Sequence, residues 1–239
     1  MKNKKETENA ALADLLDELD VDLHGVVSLD DIEGSSLAQA ARSLLPGVSS
    51  IIVLGMEIYA EFLDLTVTTR TAGAPAMNDM LVKHQDFLRS RLTRAAYILA
   101  RASRAQGKTA LPLSAEGPSV DRRFLRSIIP FKEAAAAAGL GEVGMSSLLL
   151  TPEYGPRVLL NLCLTEAKLS STKKENSRVC RYCNVCVFRC PAKALGYPRR
   201  DKGEKFVINR FACQQYVTGA GGCSECMRVC PIASPKYNK

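Results

Sequence analysis

At 239 residues, 46% hydrophobic and 24% charged, the chain has the make-up of a soluble globular protein of one large or two modest domains. It holds no apolar run of the eighteen or so residues that a membrane helix needs, and Met1 to Asn9 carries basic residues with no apolar stretch behind them, so neither a membrane span nor a signal peptide is expected and a cytoplasmic location is. The formal charge of +7 hides an asymmetry: residues 170–239 hold fourteen Lys/Arg against four Asp/Glu, and the rest holds eighteen against twenty-one.

The chain opens with leucines at helical spacing over residues 10–19. A strand is expected over Leu23–Leu29, where His24 reads as a strand-end or surface histidine rather than a metal ligand. Ser35 or Ser36 can cap a helix running to Leu45, which Pro46-Gly47 ends. The short apolar run Ile51–Gly55 predicts a buried strand. From Tyr59 to Ala76 the pattern breaks, and the threonine-rich stretch Thr66–Thr71 predicts a loop or strand edge. The longest helix comes next, over about Met77–Gln106. Its apolar stripe is Leu81, His84, Leu88, Leu92, Ala95, Ile98 and Leu99, which makes His84 a packed residue, and Gly107 stops it. Lys108–Ser114, Leu148–Leu150 and Arg157–Thr165 predict further strands, the last with Cys163 as a buried apolar residue.

Gly139-Leu-Gly141-Glu-Val-Gly144 spells the dinucleotide-binding pattern, but it follows an alanine-rich helix over 132–138 rather than a strand, so it fails the context that motif requires. These glycines mark a helix exit where backbone approaches something closely, either packed chain or a flat ligand. Residues 168–178 are polar and link the α/β part to the cysteine-rich end.

Eight of the nine cysteines lie between Cys180 and Cys230. Cys180, Cys183, Cys186 and Cys190-Pro191 reproduce the C-x2-C-x2-C-x3-C-P spacing of a bacterial [4Fe–4S] ferredoxin. Cys213, Cys223, Cys226 and Cys230-Pro231 repeat it with the first ligand moved upstream. In two-cluster ferredoxins the fourth cysteine of each run serves the other cluster. One cluster then takes Cys180, Cys183, Cys186 and Cys230, and the other takes Cys190, Cys213, Cys223 and Cys226. Zinc ribbons and disulfides compete, but zinc sites pair two C-x2-C knuckles, and nine is an odd number of cysteines without a secretion signal. Two oxidised clusters with their thiolates add roughly −2 each, so part of the basic excess is a counter-charge. A nucleic-acid surface is the other reading of that excess, although the basic residues are scattered and no recognition motif accompanies them.

Around the glycines the likeness becomes specific. Ala135-Ala-Ala-Ala-Gly139-Leu-Gly141-Glu-Val-Gly144, then Leu148-Leu-Leu-Thr151-Pro-Glu-Tyr154-Gly-Pro-Arg157-Val158, together with the displaced second cysteine run, resemble the cobalamin-dependent iron–sulfur reductases, the superfamily of reductive dehalogenases and epoxyqueuosine reductases. The likeness covers about half the chain, from about Ser127 to Pro231. It implies an α+β protein: a nitroreductase-like α/β domain over 1–170 that binds a corrinoid, then a ferredoxin-like module with two [4Fe–4S] clusters over 171–239. It places Gly139, Gly141, Gly144, Ser146, Tyr154 and Arg157 along the corrinoid. Tyr154 becomes a candidate proton donor, with packing beside proline as its competing role. Single electrons would pass from an electron-donor protein of ferredoxin or flavodoxin type through the clusters to cobalamin. The substrate, a small molecule or a tRNA base, is left open.

Three departures stand against simple transfer. Ser127 occupies the place of the catalytic aspartate of epoxyqueuosine reductases, Met145 replaces a usual basic residue, and the sequence stops after the second cysteine run. The alternative is a two-cluster electron-transfer protein without a corrinoid.

Overall fold

The computed structural model of the chain describes residues 12–66, 74–115, 120–121, 123–172 and 178–232. Residues 67–71 of the threonine-rich stretch and residues 173–177 of the polar linker lie outside them. The fold is α+β, and the chain divides into two compact units, each assembled from separate stretches.

The first unit comprises residues 1–56, 89–140 and 159–175. The helix α1 (12–18) leads into strand β1 (Leu23–Ser28), helix α2 (Ser36–Leu44) and strand β2 (Ser50–Glu57). Ser35 caps α2 by accepting the Ala38 N–H at 3.1 Å. Helix α3 (Ala60–Leu65) precedes the long helix α4 (Ala74–Ala105), whose residues from Arg89 onward belong to this unit. Strand β3 (Ala110–Pro112), the short pair β4 (Val120–Asp121) and β5 (Arg126–Ser127), and helix α5 (Phe131–Ala137) come after it. Beyond the hairpin β6 (Glu142–Val143) and β7 (Leu149–Leu150) comes strand β8 (Val158–Thr165).

The main sheet has the order β1-β2-β8-β3, with β1 antiparallel to β2 and β3 antiparallel to β8. Its centre explains the apolar run in β2: Ile51, Ile52, Val53 and Leu54 are wholly buried, so both faces of that strand are covered. Leu92, Ala95, Ala96 and Leu99 of α4 are buried as well. Ile98, counted in the apolar stripe, is instead 38% exposed, because one residue before Leu99 is a turn of about 100° around the helix. Buried polar groups are paired within the unit: Asn161 donates to the carbonyls of Leu92 and Leu113, and the Ser50 hydroxyl donates to Ala167 and accepts from Leu169. His24 pairs with Asp17 at 3.2 Å.

The second unit comprises residues 57–88, 141–158 and 176–239, and it holds the eight clustered cysteines. The stretch from Tyr59, where the sequence pattern breaks, opens with α3. Six residues are too few to show a periodic pattern, and the turn is held by the buried Leu63 and by the Thr66 hydroxyl, which donates to the Leu63 carbonyl at 2.7 Å. His84 on α4 stacks on Phe62 at 4.1 Å between ring centroids and accepts the Tyr59 N–H, so it is packed as its place in the stripe implies. The cysteine-bearing stretch adds α6 (Val185–Arg189), the strand pair β9 (Leu195–Gly196) and β10 (Val207–Ile208), α7 (Arg210–Gly219) and α8 (Glu225–Arg228).

Candidate metal centre

Ferredoxin spacing works by turning the chain sharply between ligands. Tyr182 and Asn184 supply those turns, with φ of 52° and 62°, values uncommon for residues other than glycine. Asn184 then starts α6, which carries Cys186 inward and ends at Cys190. The Cys190 sulfur accepts the Ala194 N–H at 3.3 Å. On the other run, Asn209 caps α7 and so orients Cys213 in its first turn, while α8 carries Cys226 and releases the chain toward Cys230.

Four of the sulfur residues, Cys180, Cys183, Cys186 and Cys230, line one cavity. It spans about 370 Å³ of empty space, part of it open solvent, against an apolar wall of Met145, Leu150 and Ile232. Electrostatics draws the same grouping. Burial pushes the Cys186 thiol up to about 11, with the charges of Cys230, Cys183 and Cys180 adding to it. Burial raises Cys213 too, with the charges of Cys223 and Cys190 next in weight. Cys226 is pushed up to about 12 by burial, then by Cys223, Cys213, Cys186 and Cys190. Cys230 therefore faces the sulfurs of the first run, and Cys190 faces those of the second. Burial thus favours the protonated thiol at Cys186, Cys213, Cys223, Cys226 and Cys230, and iron must displace those protons on binding. No three His, Cys, Asp or Glu side chains among the described residues converge as a single-ion site. The donor set suits a cubane, in which each thiolate binds its own iron around a shared core.

The glycine stretch is built against these cysteines. Gly141 has a φ of 154°, and a Cβ there would stand 2.0 Å from the Leu150 carbonyl oxygen. The close approach is thus to packed backbone. The Glu142 carboxylate accepts the Cys180 N–H. A Cβ on Gly144 would lie 2.6 Å from Leu150 Cδ1 and 3.3 Å from Cys180 Sγ. Met145 and Ser146 continue into the cavity wall, both buried. Gly139 belongs to the first unit, where it turns the chain out of α5 at a φ of 82°.

Arg157, Tyr154, Ser127 and Cys163 complete the residues singled out in the sequence. The buried Arg157 guanidinium pairs with Glu57 at 3.0 Å. Tyr154 is half-buried in a turn where its N–H donates to the Thr151 hydroxyl, and Gly155 packs on the Ile232 backbone. Ser127 is exposed on β5. Cys163 is wholly buried in β8, and burial pushes its thiol up to about 12. Cys163→Ala is expected to leave the iron content unchanged while costing about 1–2 kcal/mol for the lost buried sulfur, read from iron analysis and a denaturant melt.

Sequence reasoning missed Glu225. It is 4% exposed, accepts from Arg189 at 3.3 Å, and takes hydrogen bonds from both Nε and Nη2 of Arg228. It thereby ties α6 of the first run to α8 of the second. The available signal was an acid set inside a ligand motif, in a stretch of 170–239 that holds only four acids.

No family model matches the chain. A tetrachloroethene reductive dehalogenase of Desulfitobacterium hafniense is 31% identical over 114 residues, which covers 40% of this chain and 21% of that protein. An epoxyqueuosine reductase of Synechococcus sp. (strain RCC307) is 26% identical over 212 residues, covering 81% of this chain and 57% of that protein. The matched stretches thus span less than two thirds of these relatives. Among solved structures, a catabolic reductive dehalogenase superposes with a TM-score of 0.69 at 18% identity, over 95% of this chain and 32% of its own. An epoxyqueuosine reductase solved with a modified tRNA stem loop gives 0.60 at 17% identity, over 97% and 67%. By sequence and by fold, the chain is similar to the superfamily of the reductive dehalogenases and epoxyqueuosine reductases.

Proposed function

We propose that the chain is a corrinoid-dependent reductase of this superfamily that passes single electrons from two [4Fe–4S] clusters to a bound cobalamin. The observation that carries the reading is the crossed grouping of the eight cysteines, four of which line one partly open cavity. In this reading residues 171–239 form a ferredoxin-like module, and the α/β part over 1–170 is nitroreductase-like. Cys180, Cys183, Cys186 and Cys230 hold one cluster, and Cys190, Cys213, Cys223 and Cys226 hold the other. When bound, a corrinoid supplies a strongly nucleophilic and strongly reducing cobalt, so the protein need only bind, orient and exclude water.

The fit to a corrinoid is narrower than the resemblance implies. Gly141 and Gly144 face Leu150 and Cys180, and Arg157 faces Glu57. Ser146 and Tyr154 keep the assignment in the second unit, with the Tyr154 hydroxyl as the proton donor. Protein loaded with iron under anaerobic conditions is expected to co-elute with added cobalamin and to shift its visible spectrum. No binding in any oxidation state of cobalt would remove the corrinoid and leave the second reading, an electron-transfer protein. The exposed Ser127 favours that second reading, since a serine there offers no acid of suitable pKa to protonate a product.

A further inference from the structure

Helix α6 has two unlike faces. Cys186, Val187 and Cys190 turn inward, and Val187 packs in the core with Leu195 and Ile232. Val185, Phe188 and Arg189, spaced i, i+3 and i+4, share the other face. Phe188 is 84% exposed, the most exposed large apolar side chain among the described residues, and Val185 is 36% exposed. A phenylalanine held in water on a short helix gains nothing for the fold. Two residues away on either side in the chain lie Cys186, of one cysteine group, and Cys190, of the other.

The sequence around this face is basic, and the one acid paired to the face, Glu225 on Arg189, is buried. From Arg178 to Arg200 the sequence holds six Arg/Lys and no Asp or Glu. Over 170–239 the excess of fourteen bases over four acids stays positive after two clusters add roughly −2 each. An apolar centre within a basic surround suits a transient redox interface, where charge steers encounter and a small apolar contact fixes the pose. A partner for it must be acidic, and it must exchange electrons singly, because the clusters do.

We propose that the Val185–Phe188 face of α6 is the docking site of an acidic one-electron carrier protein, and that electrons enter the chain there, next to Cys186 and Cys190. The proposal rests on reading the eight cysteines as cluster ligands, but not on a corrinoid. A second copy of this chain would bring the same basic charge and is disfavoured.

The test is a stopped-flow measurement of cluster bleaching in the iron-loaded protein, driven by reduced flavodoxin, by reduced plant-type ferredoxin, or by dithionite. Phe188→Ser is expected to slow reduction by at least one of the two carriers about tenfold and to leave the dithionite rate unchanged. Phe188→Gln serves as the second variant if serine impairs folding. Lys193→Glu is expected to slow the same carrier at low salt, with the difference vanishing at high salt. Unchanged carrier rates in loaded Phe188 variants would overturn the proposal, as would a wild-type dimer that Phe188→Ser dissolves. A preparation with no iron and no cluster absorbance would instead fail the cluster reading on which it stands, and is visible before mixing.

Discussion

The double variant Cys186→Ala/Cys230→Ala is expected to keep one intact [4Fe–4S] cluster, although it removes a ligand from each cysteine run. The double variant Cys186→Ala/Cys190→Ala, confined to one run, is expected to keep none. The reason is the crossed grouping: Cys230 lines the cavity of Cys180, Cys183 and Cys186, whereas the thiols of Cys213, Cys223 and Cys226, raised chiefly by burial, also feel the charge of Cys190. Removing two thiolates from one group leaves the other complete, with roughly four of eight irons. Removing one from each leaves two groups of three. If each run held its own cluster, the outcomes would be reversed. Anaerobic iron and sulfide analysis, with the spin signal of the reduced protein, separates the two arrangements.

The cysteine spacing is legible because ligation is local: three sulfurs can wrap one cluster only at short intervals, and the chain has to write those intervals into its sequence. Strand β2 is legible for a similar reason, since a strand covered on both faces leaves an unbroken apolar run. What stays hidden depends on partners distant in sequence. The Gly-Leu-Gly-Glu-Val-Gly stretch announces close approach without naming the neighbour, and in the fold that neighbour is Leu150 and Cys180. Helix α3 is too short to print a period, and beyond it the Thr66 hydroxyl meets Ser224 at 2.5 Å. Glu225 reads as an ordinary charged residue until Arg189 and Arg228 are brought to it. The unit that carries the cysteines also draws in 57–88 and 141–158, stretches that share no composition with it.

Gly141→Ala is expected to be among the most damaging single substitutions outside the cysteines. The new Cβ would fall 2.0 Å from the Leu150 carbonyl oxygen, 2.8 Å from its carbon and 3.1 Å from Thr151 Cα. All three are backbone atoms, which no rotamer change can move aside. The φ of 154° adds strain of its own for an L-residue. A loss of about 3–5 kcal/mol is expected if the fold survives. The site suffers with it, because the hairpin pairs Glu142 with Leu150 and Val143 with Leu149, and Glu142 holds the Cys180 N–H. Iron should fall in the group of Cys180, Cys183, Cys186 and Cys230 and persist in the group of Cys213. Gly107→Ala is the matched control, with a φ of 72° and nothing within 4 Å of the added carbon. It should cost only about 1–2 kcal/mol, the ordinary cost of left-handed backbone, and leave both groups loaded. Anaerobic thermal melts and iron analysis of the two variants decide the point: equal effects would mean that the β6–β7 hairpin does not hold Cys180 in place.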